Sequence, residues 1–442
     1  MRVRSAALLL LAPAALGAAF LPTAGAQETR LWSPASYVAA ALEASPETAR
    51  SRLSRKAASS RWKSALASAA LPALSWSADS APYGHTPADS YLFHNWRLNA
   101  SDVGINTGLR WNLFNSFADE LTVRASSLAR DAAEAELDSS LRSQALAALR
   151  VYYSLALKGR ILEVSEGNLK AQEAQFALTQ DLYKHGMKSY TDLLKSETDL
   201  LSSRLRLASA QAETRKSLVR FNTLLQRGPL DPAEPEPLSE PGARAFPEPG
   251  TELRDSLRRR PELRIARLEE DKAAVSLRRT IREGVPALSL DALWQRQEVA
   301  TFGKPSAFGI PNPNYRLSLT LALPSGFNAY SQAQNALASR SELERAREAR
   351  RAQELQVGQE VALSRSELER ALQTLRVASR KEEISRENLG LVSEQYQQGR
   401  ADVIRLAQAQ LDFLESQVQR AQAMHDAHVA AAEYRYAAGE AL

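Results

Sequence analysis

The 442-residue chain contains no cysteine, which excludes disulfide scaffolds, thiolate zinc sites, cysteine nucleophiles and a lipid-modified N-terminal cysteine. Histidine is almost as scarce: His85, His94, His185, His425 and His428 are the only five, and they are scattered. The sequence has no His-Glu-x-x-His zinc motif, no Gly-x-Ser-x-Gly nucleophile turn and no glycine-rich phosphate loop. His425 and His428, with Asp426 between them, offer two ligands on an alanine-rich helix, which makes a weak metal site at best. The expectation is no enzyme, no cofactor and no metal. Past the N-terminus no run approaches the roughly 18 consecutive apolar residues that a membrane-spanning helix needs.

A strong excess of one charge is missing too. Lys and Arg number 56 against 51 Asp and Glu, a net charge of +5. Two of those arginines, Arg2 and Arg4, precede an apolar stretch from Ala6 to Phe20 and the small residues Ala24-Gly25-Ala26, the layout of an export signal over residues 1–26. An uncleaved anchor is the alternative, but Pro13 interrupts the stretch and Ala-x-Ala closes it. Without that segment the excess falls to +3, and basic residues alternate with Glu along helical stretches. That pattern marks a solvated surface, not the clustered basic face of a nucleic-acid binder. The exported chain is then periplasmic, secreted, or built into an outer membrane through strands.

What is present is a duplication. Pro46-Glu47 recurs as Pro261-Glu262, an interval of 215. Leu71-Pro72-Ala73-Leu74-Ser75 recurs as Val285-Pro286-Ala287-Leu288-Ser289, an interval of 214, and Tyr183-x-x-Gly186 recurs as Tyr396-x-x-Gly399, an interval of 213. We therefore read two repeats, 27–227 and 251–442, joined by 228–250, where seven of the twenty prolines lie among acidic residues. Proline at that density forbids a helix and predicts an extended linker. In each repeat a helix (36–70; 251–284) leads to a β-patterned region (hairpins 71–115 and 286–325), then to a long helical run (118–185; 326–398), a break at Gly186 or Gly399, and a return helix (188–227; 401–439). Heptad spacing in the last helix places Ile404, Leu411 and Val418 in one seam and Ala407, Leu414 and Ala421 in the next, as in helices packed side by side.

The β regions alternate cleanly. Ile105, Thr107, Leu109, Trp111 and Leu113 share one face; Tyr315, Leu317, Leu319, Leu321 and Leu323 share another; Leu74 and Trp76, and Leu288, Leu290, Ala292 and Trp294, follow suit. Aromatic residues gather here, 14 of the 29 falling within 79 residues. An apolar outer face with aromatic girdles and a polar inner face is what a membrane barrel strand requires, and a soluble sheet edge is the alternative. Four strands cannot close a barrel, and open edges are not tolerated in lipid, so several chains must share one. The loops 83–103 and 298–312 would face outward.

The order of elements, the Leu-Pro-x-Leu-Ser strand entry, the Trp111-Asn112-Leu113-Phe114 strand exit and the paired Tyr-x-x-Gly turns together resemble the TolC-like outer-membrane efflux protein family. The most characteristic stretch is Tyr396-Gln397-Gln398-Gly399-Arg400-Ala401-Asp402 with Ala409-Gln410. The resemblance implies a mainly α fold with a small β part. Duplicated long-helix hairpins form an α-barrel, and four strands per chain contribute to a trimeric twelve-stranded β-barrel. It implies an exit duct in the outer membrane of a Gram-negative bacterium, reaching into the periplasm. Its partners would be two further copies of the chain, outer-membrane lipid, a periplasmic adaptor and an inner-membrane pump, with no nucleic acid. Docking would use the tips, where Tyr183, Gly186, Tyr396, Gly399 and Asp402 fall. Many relatives place acidic residues six and nine positions after the second tip glycine, narrowing the entrance; here those positions are Arg405 and Gln408, and their first-repeat counterparts are Asp192 and Lys195. An Arg405–Asp192 contact, within or between protomers, is the expected closing element, with a plain surface ion pair as the alternative. A soluble periplasmic coiled-coil scaffold or adaptor is the competing reading of the whole chain.

Overall fold

The computed structural model describes residues 31–81, 84–85, 98–241, 248–283, 285–301, 314–322, 329–398 and 400–442. The expected export signal, much of both expected outward loops and Gly399 lie outside them. The sequence spacing predicts one helix over 36–70 and one over 251–284, and each is broken in two. The first becomes α1 (Pro34–Ala44) and α2 (Pro46–Ala70), the second α5 (Pro249–Arg259) and α6 (Pro261–Arg282). The breaks fall at Ser45 (φ −63°, ψ 122°) and Arg260 (φ −71°, ψ 121°). Each precedes a proline, whose ring crowds its predecessor out of the helical region and which brings no amide of its own. The repeated Pro-Glu pair thus marks a joint.

Between these joints run α3 (Ala118–Lys184, 67 residues) and α7 (Ala329–Gln397, 69 residues). At about 1.5 Å per residue each spans roughly 100 Å. The return helices are α4 (Tyr190–Leu224) and α8 (Val403–Ala437). The strands are β1 (Leu31–Trp32), β2 (Ala73–Ala81), β3 (Gly84–His85), β4 (Leu98–Asn115), β5 (Glu234–Pro235), β6 (Ala287–Thr301) and β7 (Asn314–Ala322).

The main sheet is antiparallel in the order β2-β4-β6-β7, with β3 added on β4. Each of its four long strands is joined in sequence to one helix: β2 to α2, β4 to α3, β6 to α6 and β7 to α7. Those helices pack in the same order, α2 on α3, α3 on α6 and α6 on α7. Toward the far end the neighbours become α4, α3, α8 and α7. The chain is therefore a wall of four staves, with β2 and β7 as the sheet's edges and α7 at one edge of the helical wall along its length.

Two features hold the wall near its middle. Tyr37 and Phe221 stack at 4.0 Å between ring centroids, and Trp32 and Tyr152 complete a buried aromatic cluster. The Tyr37 hydroxyl donates to the Phe221 carbonyl (3.1 Å) and the Tyr152 hydroxyl to the Trp32 carbonyl (2.8 Å). Burial pushes both phenols up, Tyr152 to about 12, so they stay neutral donors. The proline-rich segment is fastened here: β5 pairs in parallel with β1, the Glu236 amide donates to Trp32 O, and the Asn222 side chain donates to the carbonyls of Pro229 and Asp231. The second feature is buried Arg260, where α8 abuts α6. Its guanidinium reaches Glu262 at 3.0 Å, Glu360 at 2.6 Å and the α8 carbonyls of Tyr436 and Ala437 at 3.4 Å.

Along α7 and α8 the buried stripe is Leu368, Ala371, Leu375 and Ala378 against Ala423, Ala427, Ala430 and Tyr434. The small alanines allow close approach. This differs from the seams read from sequence: Leu414 is buried, but Ile404 is 67% exposed, and Leu411 and Val418 border a groove against Ile161 and Asn168 of α3. Heptad spacing finds the helix faces that carry apolar residues; it does not say which of two apolar faces the chain itself covers.

Candidate functional site

The far end of the wall is made by two turned tips. α3 stops because Gly186 takes φ +71°, the Gly186 amide donates to Tyr183 O (3.0 Å) and the Met187 amide to Leu182 O (2.9 Å). This paired closure is a Schellman turn, and it uses the left-handed conformation that glycine adopts without a steric penalty. In the second tip the Arg400 amide donates to Gln395 O (2.8 Å), the counterpart of the Met187 bond 213 residues on. The return helices start with matching caps. The Ser189 hydroxyl accepts from the Asp192 amide while the Asp192 carboxylate accepts from the Ser189 amide, both at 3.2 Å. Asp402 accepts from the Arg405 amide at 2.8 Å. The tips touch each other: Lys188 Nζ lies 4.5 Å from the centroid of the Tyr396 ring, and Tyr396 is buried with Val392, Val403, Leu406 and Ala409. Tyr183 and Tyr190 pack at 6.0 Å across the first turn.

Nothing in the fold would meet a Cβ at Gly186, so Gly186→Ala carries only the backbone cost. We expect a local loss of about 1 kcal/mol. Hydrogen exchange at the Met187 amide should accelerate roughly fivefold while the aromatic cluster stays protected, and unchanged exchange would show that the left-handed turn is not what holds the tip.

The opposite end is the sheet, where register aligns the apolar residues into rows that cross all four strands. Leu74, Leu109, Ala292 and Leu317 form one row; Trp76, Thr107, Trp294 and Tyr315 form another. These residues face away from the protein, Leu74 and Leu317 each 74% and Tyr315 77% exposed. On the other face the Arg110 guanidinium reaches Asp291 at 2.5 Å, and the Ser289 hydroxyl donates to the same carboxylate. One detail departs from strict alternation. Asn112 pairs with Ser289 and Phe114 with Leu288, so Leu113 is the extra residue of a bulge, and Phe114 joins the apolar face beside Leu288 and Leu321.

A family described as outer membrane efflux protein matches over residues 38–226. Solved structures with this shape include the outer-membrane channel OprN, at 18% identity and a TM-score of 0.77, covering 92% of this chain and 90% of that one. The outer membrane protein VceC from Vibrio cholerae matches at 16% identity and 0.75, covering 92% and 96%. The Campylobacter jejuni CmeC outer membrane channel matches at 14% and 0.75, covering 92% and 85%. No curated protein sequence matches significantly. Residues 38–226 thus match the outer membrane efflux protein family, and the fold of these outer-membrane channels extends over 92% of the chain. The family match and the shared fold favour the outer-membrane channel reading over the soluble scaffold.

The entrance candidates occupy equivalent cap positions in the two repeats. Asp192 and Arg405 each stand three residues after an N-cap, and among the described residues no ion pair joins them within one chain. Gln408 Nε2 donates to Asp412 (2.8 Å) as Lys195 donates to Asp199 (2.6 Å), the same i to i+4 contact in each repeat. Lys195, Asp199, Gln408 and Ile404 line one cleft over α3, walled by α4 and α8. The His428 Nε2–H donates to Ser239 O (2.8 Å), its ring stacks on Tyr153, and burial holds its pKa down. Sequence reasoning missed Lys188 and Arg260. A cation beside a tip tyrosine has no sequence period, but the residue before the second repeated proline was a findable position.

Proposed function

We propose that three copies of this chain form the exit duct of a tripartite efflux or type I secretion system. In it, substrates pass from a periplasmic adaptor and inner-membrane pump to the exterior. The observation that carries the trimer is the sheet, whose lipid-patterned face crosses all four strands while β2 and β7 remain edges. Unpaired edges cost several kcal/mol per backbone group in hydrocarbon, and three sheets of four strands close a twelve-stranded barrel.

The helices carry the same message. On α4, exposed Leu194, Leu201 and Ala208 stand 8, 15 and 22 residues after Gly186; on α7, exposed Leu391, Ile384 and Val377 stand 8, 15 and 22 residues before Gly399. Equal distances from the tips put these residues level, as layers of an antiparallel seam between one protomer's α4 and its neighbour's α7. Tyr183, Gly186, Tyr396, Gly399 and Asp402 are the proposed adaptor contacts, and Asp192, Arg405 and Gln408 the proposed entrance. With Asp192 engaged in its own cap, an Arg405 contact across protomers is the remaining form of the gate.

The mass of protein extracted from outer-membrane fractions, corrected for bound detergent, tests the assembly: a trimer supports it, and a periplasmic monomer would overturn it. For the entrance, Arg405→Asp is expected to raise the leak of the purified channel in planar bilayers; unchanged conductance removes Arg405 from the gate.

A further inference from the structure

We propose that the last turns of α6 form a binding site for the phosphate of an anionic phospholipid in the periplasmic leaflet of the outer membrane. The inference rests on the outer-membrane reading and adds a ligand to it. The starting point is the corner where β4 becomes α3. Ser116 and Phe117 are consecutive non-glycine residues in the left-handed region (φ 60° and 63°), a costly arrangement held by the Ser116 hydroxyl donating to Val285 O at 2.5 Å. The corner presents Phe117 half-exposed, with its ring edge-on to Phe114 at 5.4 Å. Phe114 belongs to the lipid-facing rows through Leu288 and Leu321, so this aromatic pair ends the apolar band on its helical side.

A cation is already seated there. The Arg282 guanidinium lies 4.7 Å over the Phe117 ring, and exposed Arg278 stands one turn earlier on the same helix face. Among the described residues neither makes an ion pair. Exposed Ile281 sits beside them, an apolar residue at the level where acyl chains begin. The neighbouring Arg279 and Glu283 do something else: they line a cleft with Asn115, Ala287 and Ala322, which are on the sheet's polar face, and Arg282 borders that cleft too. One helix end thus divides its charges between the duct side and the lipid side. A guanidinium lying over an aromatic ring keeps its N–H edge available, and that edge matches a phosphate's oxygens in pairs. Basic groups at a membrane surface attract acidic headgroups by the same physics.

The test is native mass spectrometry of the detergent-purified channel titrated with phosphatidylglycerol, with phosphatidylcholine as the reference lipid. Wild type should retain phosphatidylglycerol over phosphatidylcholine, and R278A/R282A should bind it roughly twentyfold more weakly, as two surface arginines warrant. R278K/R282K, which keeps the charge and loses the fork, should fall between them. Equal binding by wild type and R278A/R282A overturns the site, as does equal retention of the two lipids. Displacement of the lipid by equimolar inorganic phosphate would make it a free-phosphate site and overturn it too. The mass of the lipid-free particle is read in the same spectra, so failure to assemble in the outer-membrane form is seen separately from failure to bind lipid.

Discussion

Arg260→Ala is expected to lower the stability of the assembled channel by about 3 kcal/mol, the cost of stripping one partner from a buried ion-paired group. Arg260 is 4% exposed and meets three helices at once. It begins α6, pairs with Glu262 there and with Glu360 of α7, and donates to the last carbonyls of α8 with Tyr436 beneath it at 5.1 Å. Glu262 in turn accepts from Ser139 of α3. Alanine would leave two carboxylates facing each other and the helix end without donors. Lysine keeps the charge but not the fork, and should recover less than half of the loss. Arg254→Ala, on an exposed position of α5, should stay within about 0.5 kcal/mol of wild type. The measurement is the guanidinium midpoint of helicity loss for the purified channel. An Arg260→Ala midpoint matching that of Arg254→Ala would mean that the joint is held by packing alone, through Leu263, Val357, Val361 and Ala437.

That joint also shows what a sequence can and cannot disclose here. Pro46 and Pro261 were visible as a repeat, and local sterics fix the consequence: the preceding residue leaves the helical region. The partners of Arg260 were not visible, because Glu360 and the α8 carbonyls are 100 and more residues away and only the stacking of α8 on α6 brings them in. The strands read well because lipid patterning has a period of two and no competitor, until the Leu113 bulge moved Phe114 to the apolar face. The turn at Gly186 and the caps at Ser189 and Asp402 are local in the same way, each set within six residues of chain. The proposed entrance is not local, since which side chains face one another across the proposed trimer depends on copies of the chain that a single sequence does not contain. Register along α8 failed in a third way, because both of its apolar faces are used, one inside the chain and one in a groove.

The larger effect is expected at the seam between copies. Leu201→Asp and Ile384→Asp, each alone, should convert the extracted trimer to monomer. Leu201 and Ile384 are each 51% exposed on the isolated chain and stand level at 15 residues from their tips, so each change recurs at all three contacts of a closed ring. Every copy loses the burial of one large aliphatic side chain, about 1.5–3 kcal/mol, and gains an unpaired carboxylate against apolar neighbours. Met187→Asp introduces the same charge at a more exposed apolar position, on the turn beyond the seam, and should leave the trimer intact. Leu201→Lys combined with Ile384→Asp places opposite charges level with each other and should restore part of the trimer at low salt, less at high salt. The readout is mass in mild detergent, with far-ultraviolet circular dichroism showing that the helices remain. If Leu201→Asp stays trimeric, α4 and α7 do not meet at this layer. The ring is then closed from the sheet end, where β2 and β7 supply the hydrogen bonds, and the periplasmic tips are free to part without loosening the barrel above them.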